Sequence, residues 1–199
     1  QKNIVEYDKQ GEMHYDVASA FIKSIRGSDP NGAVYWLARM LHGGEDIKFI
    51  ARRMLISAAE DIGLANPNAL LLAESNFQAV LVTGMPEARI ILSQTAIYLA
   101  TSPKSNSAYL AIDSALDWIA KEGAESVPLD LRNAPTSLMK NLNYGKGYQY
   151  AHDYPDHFVQ QEFLPKAISG KIFYHPGENS KEKSILDQLK RNWQKKYPY

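Results

Sequence analysis

The segment His152-Asp153-Tyr154-Pro155-Asp156-His157 holds two histidines and two aspartates within six positions. These are residue types that bind Zn²⁺ or a harder cation. Tyr154-Pro155 separates the two pairs, so no regular helix can present all four side chains on one face. The sequence therefore favours a polar loop with an Asp–His hydrogen bond, and we assign no metal ligand. A metal-dependent hydrolase at His152–His157 is kept as an alternative.

No other pattern indicates catalysis. Glu60 and Asp61 are adjacent, so on a helix their side chains point about 100° apart and do not form an acid–base pair. We expect them near the C-terminal end of a helix, held by Arg52, Arg53 or Arg132. The chain has no cysteine, which excludes disulfides and thiolate sites, and it has no G-x-S-x-G motif. We assign no catalytic or cofactor-binding residue and expect that this chain is not an enzyme.

Basic side chains are the candidate contact surfaces. An arginine pair beside an apolar stripe can bind carboxylates of a neighbouring subunit or DNA phosphates, and an intrachain ion pair is an equally open alternative. A basic helix face near the C-terminus could meet a phosphate backbone or simply be solvated. The candidates for partner or DNA contact are Arg52, Arg53, Arg132, Lys146, Lys190 and Arg191.

An aromatic-rich stretch lies between the prolines of the C-terminal half: Tyr144, Tyr148, Tyr150, Tyr154, Phe158 and Phe163. Such rings can stack on nucleic-acid bases. Packing over the helices is the favoured interpretation, because the segment around them is polar and interrupted by proline. A DNA-binding module that uses this aromatic wrap and the basic tail is the alternative function.

Overall composition excludes a general electrostatic attraction to nucleic acid or to a membrane. The 199 residues include 22 Lys and Arg against 22 Asp and Glu, so the formal net charge is zero. No apolar run reaches membrane-spanning length, and no signal peptide is visible. We expect a cytoplasmic protein with no membrane partner. Because the first residue is not methionine, we also expect a piece of a longer protein.

Six stretches in which apolar residues recur at helical spacing, each with start and stop signals, predict the helices that carry these residues. A polar lead-in, residues 1–11, precedes them. The second helix, Ala33–His42, is predicted to be capped by Asn31 and to form a central post that buries Trp36 and Met40. The third is predicted to pack on it as a wall. The six helices cover about 14–26, 33–42, 46–62, 67–83, 86–101 and 105–122.

The amino-acid composition changes after Ala124, where prolines become frequent. One short helix at Thr136–Leu142, one short extended piece at Lys171–Tyr174 and a final helix at Ser180–Lys195 are predicted there. The fold class is all-α: a bundle of about six core helices with an irregular aromatic-rich C-terminal wrap and a final helix. We expect a single domain over 1–199, with the core at about 14–123 and the wrap and final helix at about 124–199.

Five sequence blocks carry a family resemblance: SIRGSDPNGAVYWLARML, IARRMLISAAEDIGLANP, SPKSNSAYLAI, VPLDLRNAPTSLMK and NYGKGYQYAHD. Together they resemble the C-terminal region of the replication-associated recombination protein A family. This family is also called MgsA, and its eukaryotic relative is the Werner helicase-interacting protein. The blocks span about residues 15–165 in the family's order.

This resemblance implies a function for the longer protein. The family is a clamp-loader-like AAA+ ATPase that acts in DNA replication, recombination and repair at stalled forks. It implies ATP and Mg²⁺ as cofactors, and DNA and replication proteins as partners, of the full-length protein. The C-terminal region would be a non-catalytic, all-helical oligomerisation and interaction domain, and the full-length protein a homotetramer.

The ATP-binding loop that the family requires, G-x-x-x-x-G-K-[ST], is absent from this sequence. Gly145-Lys146-Gly147 does not match, because Lys140 stands where the first glycine is needed and Gly147 where serine or threonine is needed. The resemblance therefore implies that the ATP-hydrolysing half lies outside this chain, which should neither bind nor turn over ATP.

Overall fold

The computed structural model describes residues 11–199, so the predicted lead-in falls outside it except for Gly11. Over these residues the chain forms eight α-helices and no strand, which confirms the all-α prediction. The helices are α1 (Glu12–Arg26), α2 (Pro30–His42), α3 (Ile47–Ser57), α4 (Asn68–Thr83), α5 (Ala88–Thr101), α6 (Ser107–Glu122), α7 (Ser137–Asn141) and α8 (Ser180–Trp193).

The described residues form two compact units. The helical unit comprises residues 11–110 and 177–182, and the loop-rich unit comprises residues 111–176 and 183–199. Whether the second unit wraps the first, and whether both make one domain, stay predictions.

Helix α5, rather than α2, is the central helix of the helical unit. It packs against α1, α2, α3 and α4, whereas α3 packs mainly on α4. Alanines at 88, 96 and 100 are fully buried on α5 and let its neighbours approach closely. The prediction that α2 is the central helix, with α3 packed on it, is therefore wrong. Met40 is buried as predicted, but Trp36 is only partly buried, with its ring edge-to-face against Tyr35 at 4.9 Å.

The predicted cap of α2 was also assigned to the wrong residue. Asp29, not Asn31, caps α2: its Oδ1 accepts the backbone N–H groups of Asn31 and Gly32, each at 3.0 Å. Proline at position 30 then occupies the first helical position, where its missing N–H costs nothing. Helix α4 has no side-chain cap, and the side-chain amide of the preceding Asn66 donates to the Tyr98 hydroxyl at 2.8 Å.

Helix α3 does not continue regularly to Ile62 as predicted. It ends at Ser57 and is followed by one π-helical turn, Ala58–Ile62, and a 3₁₀ turn, Gly63–Ala65. Gly63 has φ +47°, and a Cβ there would lie 3.0 Å from the carbonyl oxygen of Ser105. Glycine is therefore required where the chain passes this carbonyl.

The loop-rich unit contains most of α6 together with α7, most of α8 and several 3₁₀ turns. The short helix predicted at Thr136–Leu142 is present as α7, and Thr136 caps it, since its hydroxyl accepts the backbone N–H of Met139 at 3.2 Å. The ring of Trp193 on α8 lies edge-to-face against Phe158, with centroids 5.0 Å apart. The segment 171–174 belongs to no strand.

Candidate functional site

An open pocket of about 620 Å³ lies in the loop-rich unit. Arg132 and Lys140 supply positive charge to its wall, and Tyr144, Tyr148 and Phe163 supply rings. The carboxylate residue Asp130 lies on the same wall. The sequence indicated Arg132 and the rings but missed Lys140 and Asp130, which only the fold brings to them.

Arg132 is held at this pocket by three contacts. Its Nε donates to the carbonyl oxygen of Val127 at 2.7 Å, and its Nη1 donates to the Tyr144 hydroxyl at 3.0 Å. The guanidinium carbon also lies 4.9 Å from the centre of the Tyr144 ring, a cation–π distance. The side chain is therefore positioned before any ligand arrives.

Backbone contacts fix the loop that carries the rings. The Gly145 N–H donates to the Leu129 carbonyl at 2.7 Å, and the Tyr144 N–H donates to the Met139 carbonyl at 3.1 Å. Gly145 has φ +74°, and a Cβ there would lie 3.0 Å from the carbonyl oxygen of Arg132. Only glycine permits this approach, which is the physical reason for the first glycine, Gly145, in the block NYGKGY.

A pair of glutamines holds Tyr148 and Phe163 on the same pocket. The Gln149 N–H donates to Gln161 Oε1 at 3.3 Å, and Gln161 Nε2 donates to the Gln149 carbonyl at 2.8 Å. These two hydrogen bonds join two segments of the chain. Tyr148 is one residue from Gln149, and Phe163 is two residues from Gln161.

The histidine–aspartate segment lies exposed and does not gather its side chains into a group of metal-ligand type. His152, Asp153, Asp156 and His157 are all exposed, and the two imidazole rings lie 4.9 Å apart at a tilt of 56°. No three of the histidine, aspartate and glutamate side chains between residues 11 and 199 converge as metal ligands. The geometry therefore gives the metal-dependent hydrolase alternative no support.

The other basic candidates are spread over both units. Arg52 is exposed and Arg53 partly buried on α3 in the helical unit. Lys146 is exposed in the loop after α7, and Lys190 and Arg191 are exposed in the last turn of α8. Their contacts with a partner or DNA stay predictions.

A family model described as MgsA AAA+ ATPase C terminal matches residues 27–193, and one described as AAA C-terminal domain matches residues 1–26. The chain belongs to the MgsA C-terminal family. This confirms the resemblance inferred from the five sequence blocks.

Relatives of this MgsA C-terminal domain carry names from replication and recombination. A Bacillus subtilis protein named replication-associated recombination protein A is 45% identical over 189 residues, which cover 95% of this chain and 45% of the relative. Its Coxiella burnetii namesake is 44% identical, covering 92% and 42%. A Dictyostelium discoideum protein named ATPase WRNIP1 is 43% identical, covering 87% and 20%. The chain thus spans less than half the length of these relatives.

Two acidic clusters in the MgsA C-terminal domain are structural rather than open to ligand. Asp61 is buried and accepts hydrogen bonds from Arg26 Nε at 2.7 Å and Ser57 Oγ at 2.9 Å. Arg26 also approaches Glu60 at 3.9 Å. The prediction that Arg52, Arg53 or Arg132 holds these acids is therefore wrong. The hydrogen bond to Asp61 raises the pKa of Arg26.

The second cluster surrounds Glu182, which is completely buried in the helical unit. Its oxygens accept from Ser107 Oγ at 2.7 Å and Asn179 Nδ2 at 2.8 Å. Burial alone would raise the pKa of this carboxyl, but hydrogen bonds from Ser105, Gly177, Ser107 and Asn179 lower it to about 2. Sequence analysis assigns Glu182 no such role, because its partners lie up to 77 positions away.

Among residues 11–199, none of the helices has both the length and the apolar character needed to cross a membrane.

Proposed function

We propose that this chain is the non-catalytic oligomerisation and interaction domain of a clamp-loader-like AAA+ ATPase, and that it assembles as a homotetramer. The full-length protein would act in DNA replication, recombination and repair at stalled forks, in the cytoplasm at the nucleoid. It would use ATP and Mg²⁺ at a site outside this chain, with DNA and replication proteins as partners. The names of the relatives and the AAA+ family match support this assignment.

The observation that carries the proposal is an uncovered apolar stripe on α6. Ile112, Leu116 and Ile119 recur at the spacing of one helix face and are 57%, 57% and 51% exposed. Ser107 is the only buried residue of this helix. A contiguous apolar helix face in water is typical of a protein–protein interface.

The charges of α6 suit a second copy of the same helix. Asp113 and Asp117 lie in its middle, and Lys121 lies in its last turn. At 100° per residue, Asp117 and Lys121 point away from the stripe, so an antiparallel pair of α6 helices could bury the stripe without burying these charges. Such pairing would be isologous, as two-fold assembly requires.

Exposed apolar side chains of the helical unit would supply a second contact. Leu71 and Val82 are exposed and recur at the spacing of one face of α4. Two different self-complementary surfaces on each subunit generate a closed D2 tetramer, whereas one generates only a dimer. An interface stable without the ATPase half should bury on the order of 2,000 Å² or more.

The test is the mass in solution, measured by light scattering and sedimentation velocity over a hundredfold dilution. Leu116→Glu should split the assembly, because it places a charge in the middle of the stripe. Leu138→Glu on α7 is the matched control, since Leu138 is exposed at 68% and lies off the stripe. A monomer mass for the unaltered chain at tens of micromolar would contradict the proposal.

The absence of ATP chemistry in this chain is tested separately by calorimetry. We expect no stoichiometric binding of ATP with Mg²⁺, because the sequence has no phosphate-binding loop. Stoichiometric binding would contradict the assignment of the ATP site to another part of the protein.

A further inference from the structure

We propose that the pocket of the loop-rich unit binds one nucleotide of a single-stranded nucleic acid. The base would stack on Tyr148 and Phe163, and the phosphate would bind Arg132 and Lys140. This goes beyond the proposed assembly role and does not depend on it, because the pocket lies off the α6 stripe and its residues come from the loop-rich unit alone.

The size and openness of the pocket fit a unit within a longer strand. Its volume of about 620 Å³ lies within the range that small ligands occupy in proteins. Because it opens to solvent, a strand could enter and leave it while one nucleotide is held.

The rings are available for stacking yet anchored from behind. Tyr148 is 48% exposed and Phe163 is 47% exposed. Phe163 also lies edge-to-face near Trp193, which does not line the pocket, with centroids 6.3 Å apart. Stacking on such rings tolerates any base, because every base has a π-face.

The cations are placed for a phosphate rather than for an internal partner. The hydrogen bonds of Arg132 use Nε and Nη1, which leaves Nη2 for a ligand oxygen. Lys140 is exposed on α7 and adds a second positive charge to the same wall. An arginine donor beside a lysine charge is a common phosphate-binding combination.

Asp130 adds a hydrogen-bond acceptor to the same wall. Its carboxylate can accept a hydrogen bond from an N–H group on a base edge, which the side-chain carboxylates of an acidic peptide cannot supply. The pocket frame is also preorganised by the Gly145 and glutamine contacts described above, which reduces the entropy lost on binding.

The test measures fluorescence anisotropy of a labelled oligothymidylate with the whole chain. Phe163→Leu and Tyr148→Leu should each weaken binding roughly 5-fold to 100-fold, the loss typical of one stacked base. Tyr150→Leu is the matched control, because Tyr150 is 55% exposed but does not line the pocket. It should leave the affinity unchanged.

Two further measurements separate stacking from general charge attraction. An abasic strand of the same length should bind the unaltered chain about as weakly as oligothymidylate binds the leucine variants. Lys140→Gln should reduce the slope of log affinity against log salt by about 0.7, the value for one phosphate contact on a single strand. Lys166→Gln, an exposed lysine outside this pocket, should not change it.

Equal affinity for the abasic strand and oligothymidylate would overturn the proposal, as would equal affinity of the leucine variants and the unaltered chain. Displacement of oligothymidylate by a polyglutamate peptide, in a manner that needs Lys140 but neither ring, would assign the pocket to acidic peptides and overturn it too. Circular dichroism and sedimentation of every variant should match the unaltered chain. If a leucine variant unfolds, the abasic strand and Lys140→Gln still decide the outcome.

Discussion

The helical unit and the loop-rich unit are built on different physical principles. Every buried side chain among the described residues lies in the helical unit, including Phe21, Ile25 and Met54. The loop-rich unit has no buried side chain within residues 111–176 and 183–199. A chain segment with so little interior depends on surface contacts, and it is also where the candidate pocket lies.

In the loop-rich unit, cation–π contacts and ion pairs take the place of a buried apolar core. Lys171 Nζ lies 4.0 Å from the centre of the Trp118 ring, and Lys196 Nζ lies 2.6 Å from Glu162 Oε1. Interactions of this kind contribute less each than burial of a large apolar side chain. The comparison therefore predicts that equivalent substitutions should cost much more in one unit than in the other.

The sharpest test compares one aromatic residue from each unit. Phe21→Ala should lower the free energy of unfolding by about 3–5 kcal/mol, because Phe21 is 0% exposed and its removal leaves a cavity. Trp193→Ala should cost about 1–2 kcal/mol, because the indole is only partly buried against other rings. Denaturant unfolding followed by circular dichroism measures both. Equal costs would remove the distinction between the units.

A smaller effect is expected at the buried carboxylate. Glu182→Gln should cost roughly 1.5–3 kcal/mol, since the amide N–H₂ would face donors from Asn179 and Gly177. Glu178→Gln is the matched control on an exposed neighbour. A cost no greater than that of the control would show that the Ser107 and Asn179 bonds do not stabilise the charged form.

The same residue gives a pH dependence. Its folded-state pKa of about 2 lies below the ordinary 4.5, so the charged form stabilises the fold. This stabilisation is complete above pH 4.5 and is lost as the pH falls towards 2. Glu182→Gln should therefore unfold with a flatter pH profile than the unaltered chain over that interval.

The smallest effect is expected at Glu162 in the loop-rich unit. Burial raises the pKa of this carboxyl, but hydrogen bonds from Lys196, Ser169 and the Leu164 N–H outweigh it and lower the pKa. Glu162→Gln should cost no more than about 0.5 kcal/mol, because the side chain is 35% exposed and solvent screens the pair. The loss should appear only above the lowered pKa. A cost above that of Glu182→Gln would reverse the ranking of the two units.

The helices were predictable because their signals are local. Spacings such as Val17, Phe21 and Ile25, together with stops such as Gly84 and Gly123, need no knowledge of the rest of the chain. The cap of α2 was not predictable in the same way, because Asp29 and Asn31 are both good capping residues. Only the preference of Pro30 for the first helical position decides between them. Trp36 was expected in the interior because α2 is apolar on most of its circumference, but α2 buries only a narrower face, which does not include Trp36.

The charged contacts were beyond the sequence because they join distant positions. Arg26 and Asp61 are 35 residues apart, and Ser107 and Glu182 are 75 apart. At the candidate pocket, the rings and Arg132 could be named as candidates from residue type. Their meeting with Lys140 could not, because it depends on how α7 and the Gly145 loop pack.

The hydrogen bonds to Glu182 also bear on the order in which the polypeptide folds during translation. The helical unit is interrupted after Leu110 and completed only by residues 177–182. At a synthesis rate of roughly 5–20 residues per second, the glutamate is added about 4–14 s after that interruption. During this interval the hydroxyls of Ser105 and Ser107 must remain hydrated or bind a temporary acceptor. A stalled ribosome carrying a chain truncated before Gly177 would therefore display a helical unit that is nearly complete but not yet sealed, the form that nascent-chain chaperones would meet.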